Sequence, residues 1–176
     1  MTPSTSTCII NNAPALCEST CDHSILSSSN LNPLANSFIY DDKDCCAALR
    51  SHRLNNAGNI IIGHLNINSL RNKFNSLVEL IQGNLDILII GETKLDKTFP
   101  DAQFKINGFK LYRKDRNEHG GGVIIYVRAD IPSQEKAYQL PSNVEGVLVE
   151  INLRKMKFLL MGVYHSTSAE CICISL

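Results

Sequence analysis

The sequence predicts an α/β layered fold with a mixed sheet, on three observations. Short β-branched apolar runs bounded by polar residues recur along the chain, as buried strands do. Between the first two of these runs, apolar residues return at the spacing of one helix face. A strand, a helix and a strand in close succession imply parallel strands with the helix laid across them. After this unit the pattern is mainly that of strands. A length of 176 residues suits one domain. With 44% hydrophobic and 19% charged residues there is material for a core, and with no Trp and 6% aromatics that core must be aliphatic.

Taken in order, residues 1–58 read as a leader. Its first 37 residues hold 12 Ser or Thr and 5 Asn, with prolines at 3, 14 and 33. Such a stretch buries too little to offset its chain entropy, so it is expected to lack fixed structure. Residues 41–53 (DDKDCCAALRSHR) can form a short helix with acids near its start and Arg near its end. Residues 60–66 form the first buried strand. Leu70, Phe74, Leu77, Val78 and Ile81 then mark a helix, with Asn68 or Ser69 as its expected cap and Gly83 as its terminal glycine. Residues 86–92 are the second strand. A short strand at 109–112, a glycine turn at 120–122 and a strand at 123–127 follow. Residues 145–153 and 157–164 read as a hairpin turning at Arg154-Lys155.

Charge and composition exclude several classes. There are 17 basic and 17 acidic residues, so no global positive field draws in nucleic acid, although a local patch remains open. Residues 1–58 carry 3 basic and 5 acidic groups, and residues 59–176 carry 14 and 12. No apolar run nears the roughly 20 residues of a membrane-spanning helix. The first residues lack the charge and apolar stretch of a secretory signal. Of seven cysteines, none falls between 47 and 170, where the strand patterns lie. This fits free thiols and an intracellular setting better than a disulfide framework. Cys17, Cys21 and His23 with Cys45, Cys46 and His52 are an irregular zinc candidate whose spacing matches no standard finger.

Glu92 is the first candidate for chemistry. A lone carboxylate at the carboxyl end of an apolar strand sits where open α/β sheets place ligands. Its hard oxygen suits Mg²⁺; the plain alternative is an acid facing solvent. Asn66 ends the neighbouring strand, where an amide can orient that carboxylate, meet phosphate or water, or simply cap a helix. Asn68 reads as a cap. Lys94, Lys97, Arg113, Lys114 and Arg116 are either phosphate contacts or an ordinary solvated surface. His64 reads as a sheet-face residue and His119 as a loop residue.

Four strings occur in order: Leu65-Asn66-Ile67-Asn68-Ser69-Leu70, Asp86-Ile87-Leu88-Ile89-Ile90-Gly91-Glu92-Thr93-Lys94-Leu95, Gly120-Gly121-Gly122-Val123-Ile124-Ile125-Tyr126-Val127 and Leu159-Leu160-Met161-Gly162-Val163-Tyr164-His165. Together they resemble the endonuclease/exonuclease/phosphatase family, and within it the apurinic-type endonuclease domain of LINE-type non-LTR retrotransposons. The resemblance implies a four-layer sandwich of two mixed sheets flanked by helices, with the active site at one edge. It implies Mg²⁺- or Mn²⁺-dependent hydrolysis of phosphodiesters, DNA as partner and action in the nucleus. By motif, Glu92 resembles the metal-binding glutamate, Asn66 the asparagine near metal and phosphate, and Tyr164 the tyrosine that contacts the scissile phosphate.

The resemblance stops at residue 165. His165-Ser166-Thr167 lacks the proline that follows the tyrosine in the family, and residues 166–176 do not match it. The later Gly-Asp-x-Asn and Ser-Asp-His segments, which supply the water-orienting aspartate and the histidine pair, have no counterpart. The expectation is therefore about half of the domain: a truncated sandwich, marginally stable and nearly inactive alone, because losing a general base costs about 10² to 10⁴ in rate. The alternatives are a non-catalytic nucleic-acid-binding remnant and a phosphatase of the same fold.

Overall fold

The computed structural model describes residues 5–10, 37–39, 45–140, 144–153, 156–165 and 168–175. The elements run β1 (Thr5–Ile10), β2 (Ser37–Ile39), α1 (Cys45–Asn55), β3 (Ile60–Asn66), α2 (Phe74–Ile81), β4 (Ile87–Gly91), a 3-10 turn (Asp101–Phe104), β5 (Phe109–Lys114), β6 (Val123–Arg128), β7 (Ser133–Glu135), β8 (Val144–Leu153), β9 (Met156–His165) and β10 (Ser168–Ser175). They form two sheets, ordered β2-β1-β3-β4-β6-β5 and β10-β9-β8-β7. The first is mixed: β1, β3 and β4 are parallel, β6 runs against them, and β5, antiparallel to β6, runs with them again. The second is antiparallel, since hairpins join its neighbours.

Strand alternation sorts side chains into two cores. Ile61, Leu65, Leu88, Ile90, Ile124 and Tyr126 face the helix layer, where they meet Leu49 of α1, Leu77 and Ile81 of α2, and Phe104. Ile62, Ile87, Ile89, Val123, Ile125 and Val127 face the second sheet, which answers with Val147, Val149, Ile151, Phe158 and Leu160. The central strands are apolar on both faces because both faces are covered. Among the described residues, helices lie only on the first sheet's outer face.

Asp86 ties these layers together. It lies one residue before β4, although the sequence places it inside the strand. Its fully buried carboxylate accepts from the Ile61 backbone N–H at 2.7 Å and from Arg53 Nη2 of α1 at 2.6 Å, and it also pairs with Arg128 at the end of β6. So α1, on the leader side of the compositional boundary at 58, is bound into the core. Asp41, Asp42 and Asp44 of the expected helix start lie outside the described residues, as do Cys17, Cys21 and His23 and the hairpin turn at 154 and 155. Cys46 is a free thiol packed against the core.

One expectation about α2 is corrected. Neither Asn68 nor Ser69 caps it; the helix starts at Phe74, with Lys73 in the cap position and no side-chain cap bond. The cause is competition for the backbone. Ile67, Ser69 and Leu70 donate their N–H groups to the carbonyls of Gly91, Glu92 and Thr93, so this segment follows the neighbouring loop before the helix can begin. Gly83 does stand just past the helix end, with φ of 74°.

Candidate active site at the carboxyl ends of β3 and β4

Parallel pairing puts Asn66 opposite Gly91, so the residue after Gly91 projects beside Asn66. Asn66 Nδ2 donates to Glu92 Oε1 at 3.0 Å, and Asn66 Oδ1 accepts from the Asn68 N–H at 3.2 Å. The amide is thereby clamped between backbone and carboxylate. The amide thus orients the Glu92 carboxylate, while its oxygen, with one lone pair bonded to the backbone, keeps a second acceptor site. Glu92 is half-buried and forms no ion pair among the described residues. A carboxylate so placed offers a hard oxygen donor to a cation.

The backbone here is costly to hold. The four non-glycine residues with positive φ among those described are Asn68 (43°), Ser69 (83°), Glu92 (55°) and Lys94 (53°), all in the two loops that leave β3 and β4. Each costs about 1–2 kcal/mol relative to a right-handed conformation, and such outliers persist only where their surroundings over-determine them. Here that is a lattice of backbone bonds. Ser69 N–H donates to Glu92 O at 2.8 Å, Lys94 N–H to Gly121 O at 3.0 Å and Thr93 N–H to Gly122 O at 3.3 Å. Gly122 has φ of 86°, and a Cβ there would stand 2.3 Å from Thr93 Oγ1. Only glycine fits at 122, and Gly121 with φ of 74° is likewise in the glycine region, whereas nothing in the structure requires glycine at 120.

The second sheet contributes Tyr164. Its position continues the inward alternation Phe158, Leu160, Gly162, and it pairs directly with Glu145 across β8 and β9. Burial raises the Tyr164 hydroxyl's pKa, the Glu92 carboxylate raises it further, Arg116 pulls it down, and Glu145 raises it again. These four side chains therefore share one electrostatic neighbourhood. Arg116 Nε lies 3.6 Å from Glu145 Oε1, and Glu145 Oε2 is buried without a hydrogen-bond partner among the described residues. Glu145 was missed by the sequence reading, although the alternation Glu145, Val147, Val149, Ile151 marks it as facing inward.

The basic candidates divide. Lys94 Nζ donates to Asn68 Oδ1 at 2.5 Å, at the site. Lys73, not anticipated, reaches the same loop through Ile67 O at 2.6 Å and Asn68 O at 3.2 Å. Burial and the nearby Lys94 charge lower the Lys73 pKa. Lys114 and Lys97 are exposed, and Arg116 is held by Glu145. Arg113 is a correction: its guanidinium turns inward to Asp115 at 2.5 Å, Asp101 at 3.1 Å and the Phe99 carbonyl at 2.8 Å, with a side chain only 10% exposed. Its charge is spent on internal acceptors and does not reach a ligand. His64 is mostly enclosed on β3, and burial lowers its pKa; His119 is exposed in its loop.

Among the described residues no three His, Cys, Asp or Glu gather as a metal cage. The donor chemistry at Glu92 is one hard oxygen group beside open polar surface. That fits Mg²⁺ or Mn²⁺, which are held by one or two carboxylates and otherwise by water and phosphate, and it does not fit zinc.

No protein-family model matches the chain, and no curated protein does. Among solved structures, the chain is similar to the 3′ phosphatase NExo from Neisseria bound to product DNA hairpin, at 24% identity and a TM-score of 0.42. It is also similar to the 3′-5′ exonuclease NExo from Neisseria meningitidis, at 22% identity and a TM-score of 0.41. Each similarity covers 56% of this chain and 39% of the other, so the matched part spans about two fifths of those proteins.

Proposed function

We propose that this edge binds a phosphate of DNA through a divalent cation on Glu92, as part of a Mg²⁺-dependent endonuclease of the retrotransposon type. The observation that carries the reading is convergence. Asn66 of β3 bonds Glu92 in the loop after β4, and Tyr164 of β9 stands within electrostatic reach of that carboxylate. The motifs that brought them to attention are the ones that resemble that family. In this role Glu92 would hold Mg²⁺ or Mn²⁺, and the bound ion would supply charge neutralisation at the phosphate. Asn66 fixes the carboxylate by its amide bond. Tyr164, whose hydroxyl is protonated at neutral pH as any tyrosine's is, donates to a phosphate oxygen. Lys94 and Lys114 add positive charge along the strand. Nicking of genomic DNA in the nucleus, with the freed 3′-hydroxyl priming reverse transcription, is the biological step this chemistry suits.

The family's later aspartate and histidine segments have no counterpart among the described residues, and losing a general base costs about 10² to 10⁴ in rate. Binding should therefore exceed turnover. The test measures binding of a labelled duplex with Mg²⁺ and with chelator, and nicking of supercoiled plasmid, for the wild type and Glu92→Gln. The expected result is Mg²⁺-dependent binding that Glu92→Gln weakens about tenfold or more, with slow nicking. Binding indifferent to both Mg²⁺ and Glu92→Gln would refute the site. Brisk nicking abolished by Glu92→Ala would keep the site and refute the slow turnover. Binding with no nicking at all would leave a nucleic-acid binder of the same surface.

A further inference from the structure

Beside the strained loops lies a cavity of about 290 Å³, lined by none of Asn66, Glu92 or Tyr164. Its floor is aromatic. Phe104 is buried, Phe74 meets it edge-on with ring centres 5.5 Å apart, and Phe99 lies tilted against it at 6.3 Å. The Arg71 guanidinium lies over the Phe99 ring, its central carbon 4.4 Å from the ring centre. Three amides, Asn72, Asn75 and Gln103, complete the rim, and all three are exposed with no hydrogen bond to a described residue. Among the described residues no carboxylate lines the cavity, although Arg71 Nη2 also donates to Glu118 Oε2 at 3.3 Å outside it.

We infer that this cavity is a subsite for one unpaired nucleobase of the strand whose phosphate sits at Glu92, an inference that rests on the proposed function. Four features choose this occupant. The space is at the small end of ligand pockets, enough for one planar ring system. A guanidinium plane backed by an aromatic ring is the surface on which bases stack. Unspent amides offer a donor and an acceptor each, which matches the mixed edge of a base. A phosphate path leads to it: Lys94 Nζ and Lys73 Nζ converge on Asn68, and Leu70, next to Arg71, donates its N–H to the Thr93 carbonyl beside Glu92. A base inside a duplex cannot enter, so the subsite takes a single-stranded or flipped base, and it would favour frayed or gapped DNA over a perfect duplex.

The experiment compares a fluorescent single-stranded oligonucleotide with a chain of abasic deoxyribose phosphates of equal length, by anisotropy on the full chain. The wild type is expected to prefer the base-containing chain by about 5- to 100-fold, the range of one stacked base. Arg71→Lys keeps the charge and removes the plane, and Asn75→Ala removes one edge contact; each should shrink that preference while leaving the abasic chain's affinity near the wild-type value. Lys94→Ala should weaken both ligands alike. Both positions 71 and 75 are exposed, so the variants should fold, and a thermal melt checks this. No preference in the wild type, or a preference that survives both Arg71→Lys and Asn75→Ala, overturns the subsite. So does a neutral aromatic peptide that binds there while the oligonucleotide does not. An abasic chain that the wild type ignores, beside a base-containing chain bound in an Arg71-dependent way, supports the subsite and refutes only the phosphate reading at Glu92.

Discussion

Replacing Asp86 with Ala should remove about 4 kcal/mol of stability, and the sum can be worked from its partners. The Ile61 N–H, bonded to the carboxylate at 2.7 Å, would be left buried and unsatisfied, at about 1–3 kcal/mol. Arg53 would lose a charged bond of about 1.5–3 kcal/mol, and the low end applies because it keeps the carbonyls of Asn84 and Asn59. Arg128 is 42% exposed and retains Asp130, so its share is under about 1 kcal/mol. For a chain of this size a loss of about 4 kcal/mol lowers the melting temperature by about 8–16 °C. Urea denaturation followed by circular dichroism measures it as a lower midpoint at unchanged slope. Asp86→Asn keeps an acceptor for Ile61 and should lose about half as much. An Asp86→Ala protein within about 1 kcal/mol of the wild type would show that solvent and the remaining acceptors replace the carboxylate, and the bridging role would be refuted.

Two further outcomes follow from the site. Gly122→Ala, with φ of 86° and a Cβ 2.3 Å from Thr93 Oγ1, should cost about 2 kcal/mol or more and displace the Thr93 loop, read as a lower urea midpoint together with weaker Mg²⁺-dependent binding; an unchanged protein would show that the loop relaxes freely. Ultraviolet titration should find Tyr164 ionising above an ordinary tyrosine. Glu92→Gln and Glu145→Gln each remove a negative charge that opposes phenolate formation and should lower that pKa, whereas Arg116→Gln removes a positive charge and should raise it. Shifts of the opposite sign would place these groups away from the hydroxyl.

β3 to β6, β8, β9 and α2 were legible because burial writes itself into period: β3 and β4 are apolar at every position that meets a core, and the α2 face repeats as a helix must. β7 and β10 were not read, nor were β1 and β2, which stand in the stretch expected to lack fixed structure; their order comes from pairing with neighbouring strands. Asn66 and Glu92 were legible because parallel pairing brings equivalent strand ends together. The cap of α2 was not, since Asn68 and Ser69 are good capping residues whose local preference lost to three cross-loop backbone bonds. Arg113 looked like one cation among several. Its inward turn depends on Asp101, Asp115 and two carbonyls, which no local pattern assembles.

Alternation and helical spacing, properties of neighbours along the chain, were enough to determine two buried parallel strands, the helix between them and the carboxylate at their end. Distance in space decided the rest: that Asp86 joins α1, β3 and β6, that Glu145 stands opposite Tyr164, that Asn66 turns its oxygen to the backbone, and that three phenylalanines and Arg71 enclose a cavity. Each of these depends on a partner 19 or more residues away or on a rotamer chosen by packing, and neither is recorded in the order of residues until the chain has folded.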